Sequence, residues 1–109
     1  QKIALTNQDG VSIVDINSIV WCEALGSYTK FHFSNKTNLV VSKIIKEYEE
    51  ILAEYNFVRV HNTYLVNANC IVKYIKGDGG QLIMTDGNEI EVSRRKKDEV
   101  LGVLSRILK

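Results

Sequence analysis

Proline is absent from the 109 residues, and methionine and tryptophan occur once each. No proline-rich, low-complexity or repeated tract breaks the chain, so nothing in it reads as a linker. Cysteine is scarce: Cys22 and Cys70 lie forty-eight residues apart, each among apolar neighbours in a strand-like run. Such a pair reads as buried free thiols in a reducing cytoplasm rather than as a disulfide. Together with His32 and His61 they lack the short paired spacings of a zinc site, and no metal or other cofactor is expected. No apolar run approaches the roughly 20 residues of a membrane-spanning helix, and no signal peptide is expected ahead of the domain. Neither sign of charge dominates, because 14 Lys and Arg against 13 Asp and Glu leave +1.

What is present is ordinary in amount and uneven in placement. Apolar residues make up 45% and charged residues 25%, as in a soluble globular domain. The length suits one domain over residues 1–109 with a modest core. The chain begins with Gln1, which suggests a fragment of a longer protein with a partner domain upstream. Four of the fourteen cations stand side by side as Arg94, Arg95, Lys96 and Lys97. Two readings of that run stand: a solvated helix end, or a docking point for phosphates.

Strand signals dominate. "KIAL" leads through Asp9-Gly10 to the alternating "VSIVDI"; "SIVWCEA" and "SYTKFHF" flank Gly26; "SNKT" turns the chain into "NLVV". In "SYTKFHF", Thr29, Phe31 and Phe33 share one face and Tyr28, Lys30 and His32 the other. Val41, Ile44, Ile45, Tyr48, Ile51, Leu52 and Tyr55 recur at helical spacing, with Ser42 as a candidate N-cap and Lys43–Glu47 and Lys46–Glu50 four apart. Strands resume with "FVRVHNTYLV", "CIVKYIK", "QLIM" and "EIEV", the loop "GDGG" lying between the second and third. A terminal helix is marked by Val100, Leu101, Leu104, Ile107 and Leu108. Turns recur about every ten residues and the two helices do not alternate with strands, which predicts a mostly β fold of antiparallel sheets.

Three polar segments interrupt this pattern. In "EALGSYTK", Gly26 permits a tight turn with Ser27 and Tyr28 at its tip, which is also what a plain hairpin looks like. In "RVHNTYLVN", alternation puts Arg59 and His61 on one side and Val58, Val60 and Asn62 on the other, and "HNT" reads as a loop. The Asn62 amide can give and accept hydrogen bonds together, matching the adenine edge in a major groove. His61 reads as structural, fastening the loop backbone through its ring. In "SRRKK", Ser93 can cap the helix, and arginine can fork onto guanine or phosphate. The cations oppose the positive end of a helix, Asp98 and Glu99 partly relieve them, and phosphate contacts would offset the rest.

Catalytic constellations are missing. There is no defensible Ser-His-Asp spacing, no HExxH and no glycine-rich phosphate loop opening a helix, since "GDGG" lies between strands. The acids Asp78 and Asp86 read as isolated turn residues. An enzyme is not expected. The open alternatives are a DNA-binding module and a protein-interaction module of a signalling protein that meets its partner through sheet edges or tyrosine-rich faces.

"FVRVHNTYLVN" followed by "IVKYIKGDGGQLIMTDGNEIEVSRRKK" resembles the LytTR DNA-binding domain of bacterial response regulators, and "IVWCEALGSYTKFHF" is similar to that family's first half. The resemblance covers nearly the whole chain. It implies an elongated stack of antiparallel β-sheets with one internal and one C-terminal helix. It implies sequence-specific binding of double-stranded promoter DNA, with loops rather than a recognition helix entering successive major grooves on one face. Sites arranged as imperfect direct repeats, a pair of molecules on DNA, and an upstream receiver domain of two-component signalling follow from the same resemblance. By matching position, Asn62 and Arg95 are the implied base readers, and the Gly26 turn, with Ser27 and Tyr28, is the third contact loop. Arg94, Lys96, Lys97 and Thr63 are the implied phosphate contacts. Many relatives carry Lys or Arg where Asn62 stands, so the base edge read here differs from theirs.

Overall fold

The computed structural model describes residues 1–107 and contains ten strands and two α-helices. β1 (Lys2–Asn7) and β2 (Gly10–Asp15) form a two-stranded hairpin. β3 (Ile19–Leu25), β4 (Tyr28–Phe33), β5 (Asn38–Val41), β6 (Phe57–His61) and β7 (Tyr64–Asn67) make a five-stranded sheet in the order β5-β4-β3-β7-β6. β8 (Ile71–Ile75), β9 (Gln81–Met84) and β10 (Glu89–Glu91) make a third sheet. Every pairing is antiparallel; short turns require this of the sequential pairs, and β7 joins β3 after the chain returns through α1 and β6. α1 (Ile45–Leu52) follows β5, and α2 (Lys97–Ile107) follows β10.

The five-stranded sheet is the middle layer, and each of its faces supports a separate core. One core packs the β1–β2 hairpin and α1 onto Ile19, Cys22, Phe31, Phe33, Phe57 and Leu65. The other packs the third sheet and α2 onto Val20, Trp21, Val58, Val60 and Val66. A β-bulge between Ile19 and Trp21 turns the adjacent residues Val20 and Trp21 onto the same face, which plain alternation would forbid. Two matched devices carry the chain between layers. Asp15 and Asn67 each accept from the backbone N–H two residues on, starting the 3₁₀ turns Ile16–Ser18 and Ala68–Cys70. The resulting stack measures 41 × 28 × 24 Å, elongated as the resemblance implied.

Several local expectations are corrected. The first helix is shorter than its apolar stripe: Val41 belongs to β5, and the 3₁₀ turn Ala53–Tyr55 ends at Asn56 in the left-handed conformation. Only Ile45, Tyr48 and Leu52 of the helix are buried, while Ile44 and Ile51 are exposed. Ser42 is not the cap; Ile44 holds that position without a side-chain bond. Among the described residues, neither Lys43–Glu47 nor Lys46–Glu50 closes into an ion pair. α2 buries Val100 and Val103, with Leu104 half-buried and Leu101 and Ile107 exposed; Leu108 lies outside the described residues. Both cysteines are free, but only Cys22 is buried in a strand; Cys70 ends a 3₁₀ turn, half-exposed. Burial pushes both thiols up, with the Thr85 hydroxyl drawing Cys70 partly back.

Candidate nucleic-acid interface

Two hairpin turns leave the same end of the middle sheet. Leu25 pairs with Tyr28 across the turn Gly26–Ser27, and His61 pairs with Tyr64 across Asn62–Thr63. Because Glu23 pairs with Tyr64, and Ala24 N–H donates to the Thr63 carbonyl at 2.8 Å, the two turns point the same way. The first extends two to three residues further, roughly 7–10 Å at the strand rise. Gly26 has φ +63° and Ser27 does not share that sign, the arrangement of a II′ hairpin turn that suits strand twist. Ser27 and Tyr28 are exposed there, as expected of a contact loop.

The second turn is held from several sides. Thr63 N–H donates to His61 Nδ1 at 3.1 Å, so His61 fastens its own loop. A second bulge between Arg59 and His61 breaks the expected alternation: Arg59 faces the α1 side, while the His61 ring lies 5.3 Å from that of Tyr64, at the other core. Asn62 is exposed at the tip, and Thr63 is half-buried.

The basic segment reaches this turn from the third layer. Ser93 N–H donates to the Val60 carbonyl at 2.9 Å, which seats "SRRKK" against the end of β6. Arg95 Nη2 then donates to Asn62 Oδ1 at 3.3 Å, both side chains exposed. Of the four cations only Lys97 opens the α-helix, where all four were expected to. Arg94–Lys96 form a 3₁₀ turn, and α2 begins at Lys97 with Asp98 and Glu99 in its first turn, where acids suit the exposed N–H groups. Ser93 precedes that turn but makes no side-chain cap, and its buried hydroxyl has no partner among the described residues.

The "GDGG" loop is the feature that reading by segments missed. It joins β8 to β9 as expected, yet it also buttresses the cations. The Gly77 carbonyl accepts from Lys97 Nζ at 3.2 Å, and Asp78, far from isolated, lies 3.4 Å from Arg94 Nη2. A Cβ on Gly79 would stand 1.9 Å from the Val92 carbonyl oxygen, so only glycine fits against the start of "SRRKK". Lys96 pairs with Glu99 at 3.4 Å. Asp86 likewise has a distant partner, accepting from the Trp21 indole at 2.9 Å and linking the third sheet to the middle one. The signal for these contacts was glycine doubling next to a lone acid, which specifies a tight loop but not its neighbour.

The family model of the LytTr DNA-binding domain matches residues 9–105. The chain belongs to that family. A solved LytTr DNA-binding domain from Bacillus cereus superposes with a TM-score of 0.81 over 94% of this chain and 95% of that one, at 22% identity, and so shares the fold. The sensory transduction protein LytT of Bacillus subtilis is 30% identical over 94% of this chain, and that of Oceanobacillus iheyensis 31% over 64%. This LytTr domain spans 43% and 28% of the length of those relatives. Its family is one of DNA-binding domains rather than a class of enzyme, and no helix among the described residues is long and apolar enough to cross a membrane.

Proposed function

We propose that this LytTr domain is the sequence-specific output part of a bacterial two-component response regulator, reading promoter DNA in the cytoplasm. Asn62 and Arg95 read base edges, and the Gly26 turn, with Ser27 and Tyr28, enters the duplex beside them. Arg94, Lys96, Lys97 and Thr63 hold phosphates. The turns address successive grooves on one face, two copies occupy direct repeats, and an upstream receiver domain controls their pairing. The observation that carries the reading is the 3.3 Å contact between Asn62 and Arg95, which joins an amide from a hairpin turn of the middle sheet and a guanidinium from the 3₁₀ turn after β10 at one exposed point beside the Gly26 turn. An amide and a guanidinium are the side chains that pair in bidentate fashion with adenine and guanine. The relatives' greater length and their sensory-transduction names support the signalling context.

Selection of bound duplexes from random DNA, followed by affinity against salt, tests this. Enrichment of one motif with salt-sensitive affinity is expected. No enrichment, salt-indifferent behaviour and insensitivity to Asn62→Ala would instead favour the protein-interaction module.

A further inference from the structure

Arg59 is the third residue of β6, and its neighbours Val58 and Val60 face the opposite core. Its side chain is only 16% exposed, and all its nitrogens are occupied. Nε donates to the His61 carbonyl at 3.0 Å, Nη2 to the Asn62 carbonyl at 2.6 Å, and Nη1 to Glu49 Oε1 of α1 at 2.8 Å. Two successive carbonyls of the reading turn thus converge on one planar cation. The guanidinium fork is rigid, so satisfying three acceptors at once fixes where they stand.

The turn needs such a clamp. Asn62 and Thr63 both lack the positive φ of the hairpin turns that match strand twist, and the bulge beside them interrupts the ladder. The bonds of Thr63 to His61 Nδ1 and to Ala24 N–H hold the far side of the turn, and the His61 and Asn62 carbonyls are held by Arg59.

We infer that Arg59 is a positioning residue for base reading: it holds the 61–62 backbone so that the Asn62 amide meets its base, and Glu49 anchors that clamp to α1. The inference rests on the reading of Asn62 given above. With its side chain only 16% exposed and three of its five N–H groups engaged beneath the turn, Arg59 is expected to act through the turn rather than on DNA.

The test compares Arg59→Lys, Glu49→Gln and Asn62→Ala in the 109-residue chain. Each is measured on the selected duplex, on that duplex changed at the base pair Asn62→Ala relaxes, and on unrelated DNA. Lysine keeps the charge but cannot fork onto two carbonyls and a carboxylate. Arg59→Lys is expected to lose roughly 5- to 150-fold of discrimination at that one base pair, with the salt slope and the affinity for unrelated DNA unchanged. Glu49→Gln should lose less, at the same base pair. The amide order parameters of Asn62 and Thr63 should fall from about 0.85 towards 0.6 in Arg59→Lys. Retained discrimination in Arg59→Lys while Asn62→Ala loses it overturns the inference. So does a salt slope smaller by about one, which would make Arg59 a phosphate ligand. If Asn62→Ala alters no base preference, the reading of Asn62 fails, and the clamp is then judged by the order parameters, where unchanged values overturn it. Should Arg59→Lys not fold, Glu49→Gln carries the same comparisons, and no change in discrimination or order overturns the inference.

Discussion

Arg95 and Asn62 are thirty-three residues apart in sequence and share one hydrogen bond. With Asn62 Oδ1 engaged by Arg95, the pair offers a combined donor and acceptor surface rather than two separate ones. Arg95→Ala is expected to cost about 1–3 kcal/mol of specific affinity and to relax discrimination at one base pair. Competition gel shifts against single-substituted sites check this, and unchanged specific affinity would remove Arg95 from the base-reading set. A second residue-scale expectation concerns Asp86. Burial works to raise its carboxyl, but bonds from the Asn88 backbone and side chain and the Trp21 indole, with the charge of His32, hold it below the usual range. A carboxyl depressed in the folded state stabilises above its unfolded pKa, and that contribution fades as pH falls through the lower folded value. Asp86→Asn should therefore cost about 1 kcal/mol at pH 7 and progressively less in acid. Urea titrations across pH, followed by Trp21 fluorescence, report it; a constant difference at every pH would separate Asp86 from this titration.

Among the elements, the β8–β9 loop matters most for the basic segment. A Cβ at Gly79 would overlap the Val92 and Ser93 backbone, so Gly79→Ala must displace either the loop or the start of the cation run. A loss of about 2–3 kcal/mol of stability is expected from overpacking, measured by thermal or chemical denaturation; a neutral substitution would mean the loop is not seated there. Asp78 acts by charge rather than by packing. Its pair with Arg94 is 88% and 81% exposed, so it contributes little to stability, yet it occupies a guanidinium that would otherwise meet phosphate. Asp78→Asn should tighten binding to all sequences about two- to fivefold at low salt, in line with a surface pair worth up to 1 kcal/mol. Fluorescence anisotropy on specific and unrelated duplexes checks this, and an effect confined to one sequence would contradict a phosphate role for Arg94. The helices illustrate the opposite limit. The α1 stripe ran from Val41 to Tyr55 in the sequence, but the helix itself stops at Leu52, because apolar residues at its ends serve β5 and a 3₁₀ turn instead. Periodicity marks which residues are apolar together, not which backbone they adopt.

At the scale of the molecule, a net charge of +1 and one local group of cations bound the electrostatics. With Arg94, Lys96 and Lys97 as the charged phosphate contacts, the slope of log affinity against log salt should be roughly −3 for duplex DNA, at about −0.9 per phosphate. A slope near −1 would remove most of these contacts, and one steeper than about −6 would require cations elsewhere on the surface. Titration of the selected duplex between low and physiological salt decides among them. The double-core stack bears on this number. Because the third sheet and α2 pack on one face of the middle sheet, the cations are delivered to the edge of the β6–β7 turn.

The strands, the antiparallel class and the two turns at Gly26 and Asn62 were legible in the residues themselves, since turn chemistry and period-two alternation are local properties of a few neighbours. The alternation in "SYTKFHF" survives intact, with Thr29, Phe31 and Phe33 buried. The motifs that carry the family resemblance were legible too. Where the segments meet was not. That Arg95 touches Asn62, that Asp78 faces Arg94, that Asp86 holds Trp21, that one bulge puts Val20 and Trp21 on the same face, and that another parts His61 from Arg59 all depend on register between strands distant in sequence. Such contacts are set by how two cores pack on opposite faces of one sheet, a balance of long-range burial that no single stretch of the chain contains.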